Sequence, residues 1–352
     1  MTRLHRAATF VRKRLFGSVF DAVITVLCAA LIVRLAVPAL SWLVLDATWS
    51  GTTRADCTGS GACWVFIRAR FGQFMYGLYP VGERWRVDLA GLLLVGAIAL
   101  LAWRGLPGRR FFAAAALVGL PPLGVWLLAG GYGLAPVETR DWGGLMLTVF
   151  ISVYAALIAV PLGVILALGR QSRLPAIRLL SVVFIEFWRG VPIIAVIFLA
   201  SLLLPLILPQ GTGIDRLARA VIGLGLVIAA YMAESVRGGL QAIPQGQTEA
   251  ATALGLRYWP ATAFIVLPQA LRIALPAMTN EFIALIKNTS LVLIVSIFDL
   301  LGIAQASLAD PAWVGMSMEA YFFAGALYWI ACFALSRWSR RTEARQAARG
   351  PV

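Results

Sequence analysis

The chain has 352 residues, of which 61% are hydrophobic and only 13% charged, and its formal net charge is +14. A mean hydropathy of +0.85 excludes an ordinary water-soluble domain, where about a quarter of the residues are charged. The basic excess does not form a nucleic-acid surface, because the Arg and Lys residues stand in short clusters between apolar runs, the pattern of cytoplasmic loops in membrane proteins.

A helix needs about 20 apolar residues to cross the hydrocarbon core. In chain order, spans are predicted near 20–45, 87–103, 111–129, 143–168, 178–208, 217–240, 278–300 and 317–337. The basic start (Arg3, Arg6, Arg12, Lys13, Arg14) leads into an apolar run too long for a signal peptide, so the first span reads as a retained helix. Arg34 inside it either snorkels or pairs with Asp46, and it is given no transport role. After this span comes a polar loop with Cys57 and Cys63. The two are either a small disulfide, if the loop faces an oxidising compartment, or free thiols. Cys28 and Cys332 fall in apolar runs and read as inert.

With the N-terminus inside, the inner loops collect Arg104, Arg109 and Arg110, then Arg170, Arg173 and Arg178, then Arg237, Arg257 and Arg272. The tail adds Arg337, Arg340, Arg341, Arg345 and Arg349, whereas the outer loop 301–316 has no Lys or Arg. Eight spans with both termini cytoplasmic satisfy this alternation. The expected fold class is therefore all-α, a polytopic membrane protein. Residues 1–140 hold three spans and a long outer loop, 141–340 hold five spans carrying ionisable residues, and 341–352 form a basic tail. There is no internal repeat.

The longest inner loop, about 241–277, contains Glu249-Ala250-Ala251, then Gly255, then Ile265 and Leu267-Pro268. Thr248 and Glu249 are expected to open a short helix, with the acid at the positive end of its dipole. Gly255 suits the C-terminal cap, Ala251 and Gly255 are placed on one smooth face, and Pro244 and Pro268 bracket the segment with turns. In sequence and spacing the segment resembles the EAA loop of bacterial ABC import permeases. Trp142-Gly143-Gly144, Glu186-Phe187-Trp188-Arg189-Gly190-Val191-Pro192, Ala233-Glu234-Ser235-Val236-Arg237-Gly238-Gly239 and Lys287-Asn288-Thr289-Ser290 resemble stretches of the polar amino-acid branch of that family. In the second of these, Trp188 and Val191 depart from the family's Phe and Thr. The three-span N-terminal part is similar to the M-type permease of the general L-amino-acid transporter.

Ionisable groups inside spans are costly and mark function. Glu186 and Arg189 are three residues apart on one helical face, and Glu234 and Arg237 repeat the spacing. Each is either a local ion pair or a brace that re-pairs as the permease moves. Glu281 and Lys287 share one apolar span, with Lys287 placed near mid-depth and followed by Asn288, Thr289 and Ser290. Lys287 either meets a substrate carboxylate or pairs with a carboxylate of this chain or its partner.

No G-x-x-x-x-G-K-[ST] phosphate loop and no H-E-x-x-H is present, and the single histidine is His5. No catalytic or metal site is expected in this chain. The resemblance implies an L-amino-acid importer of the bacterial inner membrane, with ATP and Mg held by a partner. Its implied partners are a second permease, two ABC ATPase subunits, a periplasmic amino-acid-binding protein and membrane lipid, with no nucleic acid. The alternatives are an ion-coupled secondary transporter, which should show inverted repeats, and a membrane enzyme, which should show a polar cluster. A reporter fused after Val352 is expected to report a cytoplasmic location, and alkaline phosphatase activity at that position would overturn the eight-span arrangement.

Overall fold

The structure, a computed structural model, describes residues 15–103, 105, 108–207 and 213–347. The basic residues before 15, Arg104 and the end of the tail with Arg349 lie outside the described residues. Among the described residues every regular element is helical, and β-pairing is confined to isolated bridges.

The chain divides into two compact units, one of residues up to Arg70 with Asp310–Ala320, the other of Phe71–Ala309 with Tyr321 onward. This division does not fall at residue 140. In the first unit, α1 (Val19–Leu40) continues through a π-helical turn at Ser41–Leu45. No residue of α1 is buried within the chain, as a helix facing lipid or another subunit requires. The following loop is tied down in several places. Cys57 and Cys63 are joined by a disulfide. The Thr48 amide donates to the Ala62 carbonyl at 2.8 Å, and the Trp64 indole donates to the Leu43 carbonyl at 2.9 Å. The backbone amides of Thr53 and Thr52, each 2.8 Å from one carboxylate oxygen, hold the Asp56 carboxyl below its usual range. From α2 (Trp64–Tyr76), Phe66 packs on Trp313 with ring centroids 5.6 Å apart, and Arg70 pairs with Asp310.

In the second unit, α3 (Arg84–Ala102) and α4 (Arg109–Ala129) form a hairpin. The core is built from α5 (Gly144–Arg170), α8 (Arg216–Gln241) and α10 (Leu267–Asn288). Of these α8 is central, because about two thirds of its most apolar stretch (67%) is buried within the chain, far more than in any other span. Asp215 caps its N-terminus through the Leu217 amide and receives the Thr139 hydroxyl at 2.7 Å.

The expected spans are present with two corrections. The fifth is not one straight helix. It is α6 (Pro175–Gly190) followed by an arm, α7 (Ile193–Ile207), bent by 101°. Pro192 causes the break: it has no amide hydrogen and drives Val191 into extended backbone, at φ −88° and ψ 131°. The seventh span begins far earlier than residue 278. A continuous helical run covers Tyr258–Val295, so the connecting loop is correspondingly shorter. Pro268 therefore marks no turn, since the π-helical segment Thr262–Val266 just before it accommodates the missing hydrogen bond. Counting the bent pair as one, eight segments among the described residues are long and apolar enough to cross a membrane.

Candidate functional site

Two groups of residues stand out. The first is the loop after α8. Pro244 precedes α9 (Gln245–Ala253), so Glu249 is the fifth helical residue rather than part of the first turn. The expected interaction of its carboxylate with the helix N-terminus does not occur. The C-terminal expectation is met in detail. Gly255 has φ +77°, its amide donates to Thr252 O at 2.9 Å, and the Leu256 amide donates to Ala251 O at 3.1 Å. These are the two bonds of a Schellman cap with glycine at the left-handed position. The cap carries the chain sharply away from the helix. Ala251, only 1% exposed, faces the protein, whereas Gly255 faces open space with nothing within 4 Å of a Cβ placed there. The two do not share one face.

The α9 helix rests on the Thr262–Val266 segment, and Gln247 accepts from the Gln269 amide at 3.3 Å. Ile265 and Leu267 are half-buried, while Glu249, Ala250 and Pro268 are exposed. Beyond the cap, Leu254 (79% exposed), Tyr258, Trp259 (68%) and Phe264 (79%) present an apolar surface. Sequence reasoning dwelt on the small residues and missed this patch, although Tyr258-Trp259 in a loop was a visible signal.

The second group is a charge network. The Arg170 Nη1 at the end of α5 donates to Glu186 of α6 at 3.0 Å and to Glu234 of α8 at 2.8 Å. Glu234 also accepts from the Arg237 Nη2 at 2.7 Å, and Arg237 donates to Gln241 at 2.9 Å. Arg189 lies 4.0 Å from Glu186, and its guanidinium stands 5.7 Å over the Tyr231 ring. The two pairs expected to be separate are thus one network across three helices. Its keystone, Arg170, had been assigned only to the basic loop count. Gln241, at the end of the network, lies three residues before the Pro244 that opens α9.

Lys287 is exposed near the end of α10, and among the described residues its ammonium has no ion pair or hydrogen bond. Pairing with a carboxylate of this chain is therefore not seen. Its neighbours do not form a donor ring around it either. Ser290 turns back to the Lys287 carbonyl at 2.8 Å, and the Thr289 hydroxyl lies between Ile286 O (2.9 Å) and Asp299 (3.1 Å). Asn288 and Glu281 are half-buried.

Asp299 was missed by sequence reasoning. It is 0% exposed and caps α11 (Leu300–Ser307) through the Gly302 amide at 3.0 Å. Its other oxygen receives Thr289 and, at 2.6 Å, the Tyr328 hydroxyl from α12 (Ser317–Ala347). Thr148 of α5 receives the neighbouring Leu300 amide at 3.0 Å. Burial pushes the Asp299 carboxyl up, opposed by the donors on Tyr328, Gly302 and Thr289. In the sequence Asp299 stands at the very end of the span expected at 278–300, where it passes for a boundary residue, and only the fold brings its partners together.

The chain is similar to known proteins in both sequence and fold. The model of the binding-protein-dependent transport system inner membrane component matches residues 159–347. The inner membrane amino-acid ABC transporter permease protein YhdY of Escherichia coli (strain K12) is 52% identical, with 97% of this chain and 93% of that protein covered. The glutamate/glutamine/aspartate/asparagine transport system permease protein BztC of Rhodobacter capsulatus is 36% identical, over 96% of this chain and 93% of its own length. The crystal structure of an amino acid ABC transporter with histidines is 30% identical with a TM-score of 0.51, covering 57% of this chain and 92% of that one.

Asp299→Ala is expected to destabilise the protein by about 2 kcal/mol, because it removes a helix cap and takes the 2.6 Å acceptor from the Tyr328 hydroxyl. Tyr328→Phe should cost about 1 kcal/mol. In thermal unfolding of the purified chain, the double variant should lose less than the sum of the two; strict additivity would show that the Tyr328–Asp299 bond is not energetically coupled.

Proposed function

The chain belongs to the family of binding-protein-dependent transport system inner membrane components, and on that premise we propose that it is the permease subunit passing L-amino acids, polar or broad in range, across the inner membrane in an ATP-driven importer. The names of YhdY and BztC support the substrate class. Membership places the chain with ATP-driven rather than ion-coupled transport. In this reading the chain is not itself an enzyme: ATP and Mg belong to a pair of ATPase subunits, and a second permease and a periplasmic amino-acid-binding protein complete the assembly.

The single observation that carries the proposal further is the Schellman-capped helix α9 and the exposed apolar surface behind it. A soluble partner gains most from burying aromatic and aliphatic side chains that are already rigid. We read Glu249, Ala250, Ala251, Gly255, Ile265, Leu267 and Pro268 as the coupling loop. Gly255 positions the chain reversal, and Leu254, Tyr258, Trp259 and Phe264 meet the ATPase. Motion delivered there reaches α8 through Pro244 and Gln241, and then α5 and α6 through Arg237, Glu234, Arg170, Glu186 and Arg189. Arginine suits this task, since its planar fork can exchange acceptors without losing its charge.

Residues 1–140 are read as an N-terminal extension, 141–340 as the permease core and 341–352 as a basic tail, with both termini cytoplasmic; the family match at 159–347 supports the placing of the core. Cys57 and Cys63 then lie on the periplasmic side. Lys287, with Glu281, Asn288, Thr289 and Ser290 nearby, is read as part of the substrate path or of the contact with the second permease.

The test is ATP-dependent uptake of a panel of labelled amino acids by proteoliposomes holding the assembled transporter and its binding protein. Accumulation of none of them would overturn the substrate class. Gly255→Asn should retain most uptake, because Asn tolerates left-handed backbone. Gly255→Val should abolish uptake while membrane insertion persists, since a β-branched residue cannot adopt that geometry without strain. Full transport by Gly255→Val would sink the role given to the cap.

A further inference from the structure

Between α3, α4 and α5 lies an apolar cavity of about 820 Å³. Its α3 wall runs from Val87 to Leu101, about 21 Å at 1.5 Å per residue. One leaflet of the hydrocarbon core is about 15 Å deep, half of the ~30 Å total. The groove is therefore longer than one leaflet is deep and shorter than the whole core, with room for one acyl chain along it. Almost all of its wall is aliphatic. The phenol of Tyr154, deep in the wall, is already satisfied by the Pro121 carbonyl at 2.6 Å and offers nothing to a polar guest. Within the groove, Leu92, Val95 and Ile98 of α3 are exposed, so no other part of the described chain covers them.

Polar groups gather at one end only. Tyr76 and Asp88 line that end and share a hydrogen bond of 2.7 Å. The Arg84 guanidinium stands 5.0 Å over the Tyr76 ring. Its Nε reaches the Tyr79 carbonyl at 3.4 Å, but among the described residues it has no carboxylate partner. A half-buried arginine whose remaining N–H groups are free is a phosphate receptor. One turn along the helix, the second carboxylate oxygen of Asp88 is open to a cation.

We propose that this groove is a binding site for a phospholipid with a zwitterionic ethanolamine head group. One acyl chain lies along α3 between α4 and α5, the phosphate meets Arg84, and the ammonium meets Asp88. Three arguments carry it. The wall is apolar, and leaving the groove empty would forfeit the packing of that whole wall. Its length has room for one acyl chain. Its charged end carries both signs, which matches a zwitterionic head better than an anionic one. The site lies apart from the coupling loop and the Arg170 network, so it does not rest on the assignments made to them.

Native mass spectrometry of the full chain, extracted from its own membrane in mild detergent, reads the occupancy. Retention of one phospholipid of ethanolamine head-group mass per chain is expected. Gly91 lines the groove and a Cβ there meets nothing within 4 Å, so Gly91→Phe should fill the space and weaken retention about tenfold. Arg84→Gln removes the phosphate contact and should weaken it by a similar factor. Asp88→Asn should erase the preference for ethanolamine over glycerol head groups when both phospholipids are supplied in mixed vesicles. Wild-type protein that retains no lipid, or that prefers the anionic phospholipid, overturns the proposal. So does retention unchanged in both Gly91→Phe and Arg84→Gln, or crosslinking of Gly91→Cys to a helix of another subunit.

Discussion

The bundle depends on how closely other helices can approach α8. In lipid, apolar side chains gain nothing by leaving their solvent, so helices associate through tight packing and polar contacts. Glycines allow that approach. A Cβ at Gly163 of α5 would lie 2.8 Å from the Met232 side chain of α8, and one at Gly225 of α8 would lie 2.9 Å from Ile158 of α5. At Gly239 it would meet the Ala270 carbonyl at 2.3 Å, so backbone nearly touches backbone between α8 and α10. Close packing here is what allows short side chains such as Ala229, Ala230 and Ala233 to be fully buried. It also sets the distance that Arg170 must span to reach Glu234.

The charge network is thus a consequence of the packing as well as a candidate relay. Arg170 and Glu234 are mostly shielded, at 26% and 19% side-chain exposure, while Glu186 is half open at 54%. An ion pair this close to solvent contributes little net stability. That weakness suits a joint that must open: Glu186 can leave Arg170 for Arg189 or for water at small cost, while Glu234 stays held by Arg237. A fully buried apolar contact at the same place would stabilise one state and resist exchange.

The membrane class, the number of spans and the family were legible because each rests on many residues at once. Hydropathy sums over 20 positions, and the Glu249–Pro268 pattern fixes seven. The Gly255 cap was legible because it is local chemistry: a helix that must stop abruptly needs a residue that tolerates positive φ. What failed was what depends on continuity or on distant partners. Pro268 looked like a turn because proline usually ends a helix, and the compensating π segment has no sequence mark. Arg170 looked like one more inner-loop charge because its acceptors, Glu186 and Glu234, lie 16 and 64 residues away. Asp299 stayed invisible for the same reason.

The two polar clusters lie near opposite ends of one helix and differ in kind. Thr148 is near the start of α5 and Arg170 at its end, 22 residues or about 33 Å apart along the helix. Around Thr148 and Asp299 the bonds are largely buried, and two of them come from the backbone amides of Leu300 and Gly302. Around Arg170 the bonds join side chains that are partly open to solvent, and each acid has a choice of bases. A helix anchored firmly at one end and held by exchangeable partners at the other is hinged by construction. A force on this helix would move the Arg170 end more readily, because freeing the Asp299 carboxylate would cost the Tyr328 hydroxyl its 2.6 Å acceptor and leave the Thr289 hydroxyl with only the Ile286 carbonyl.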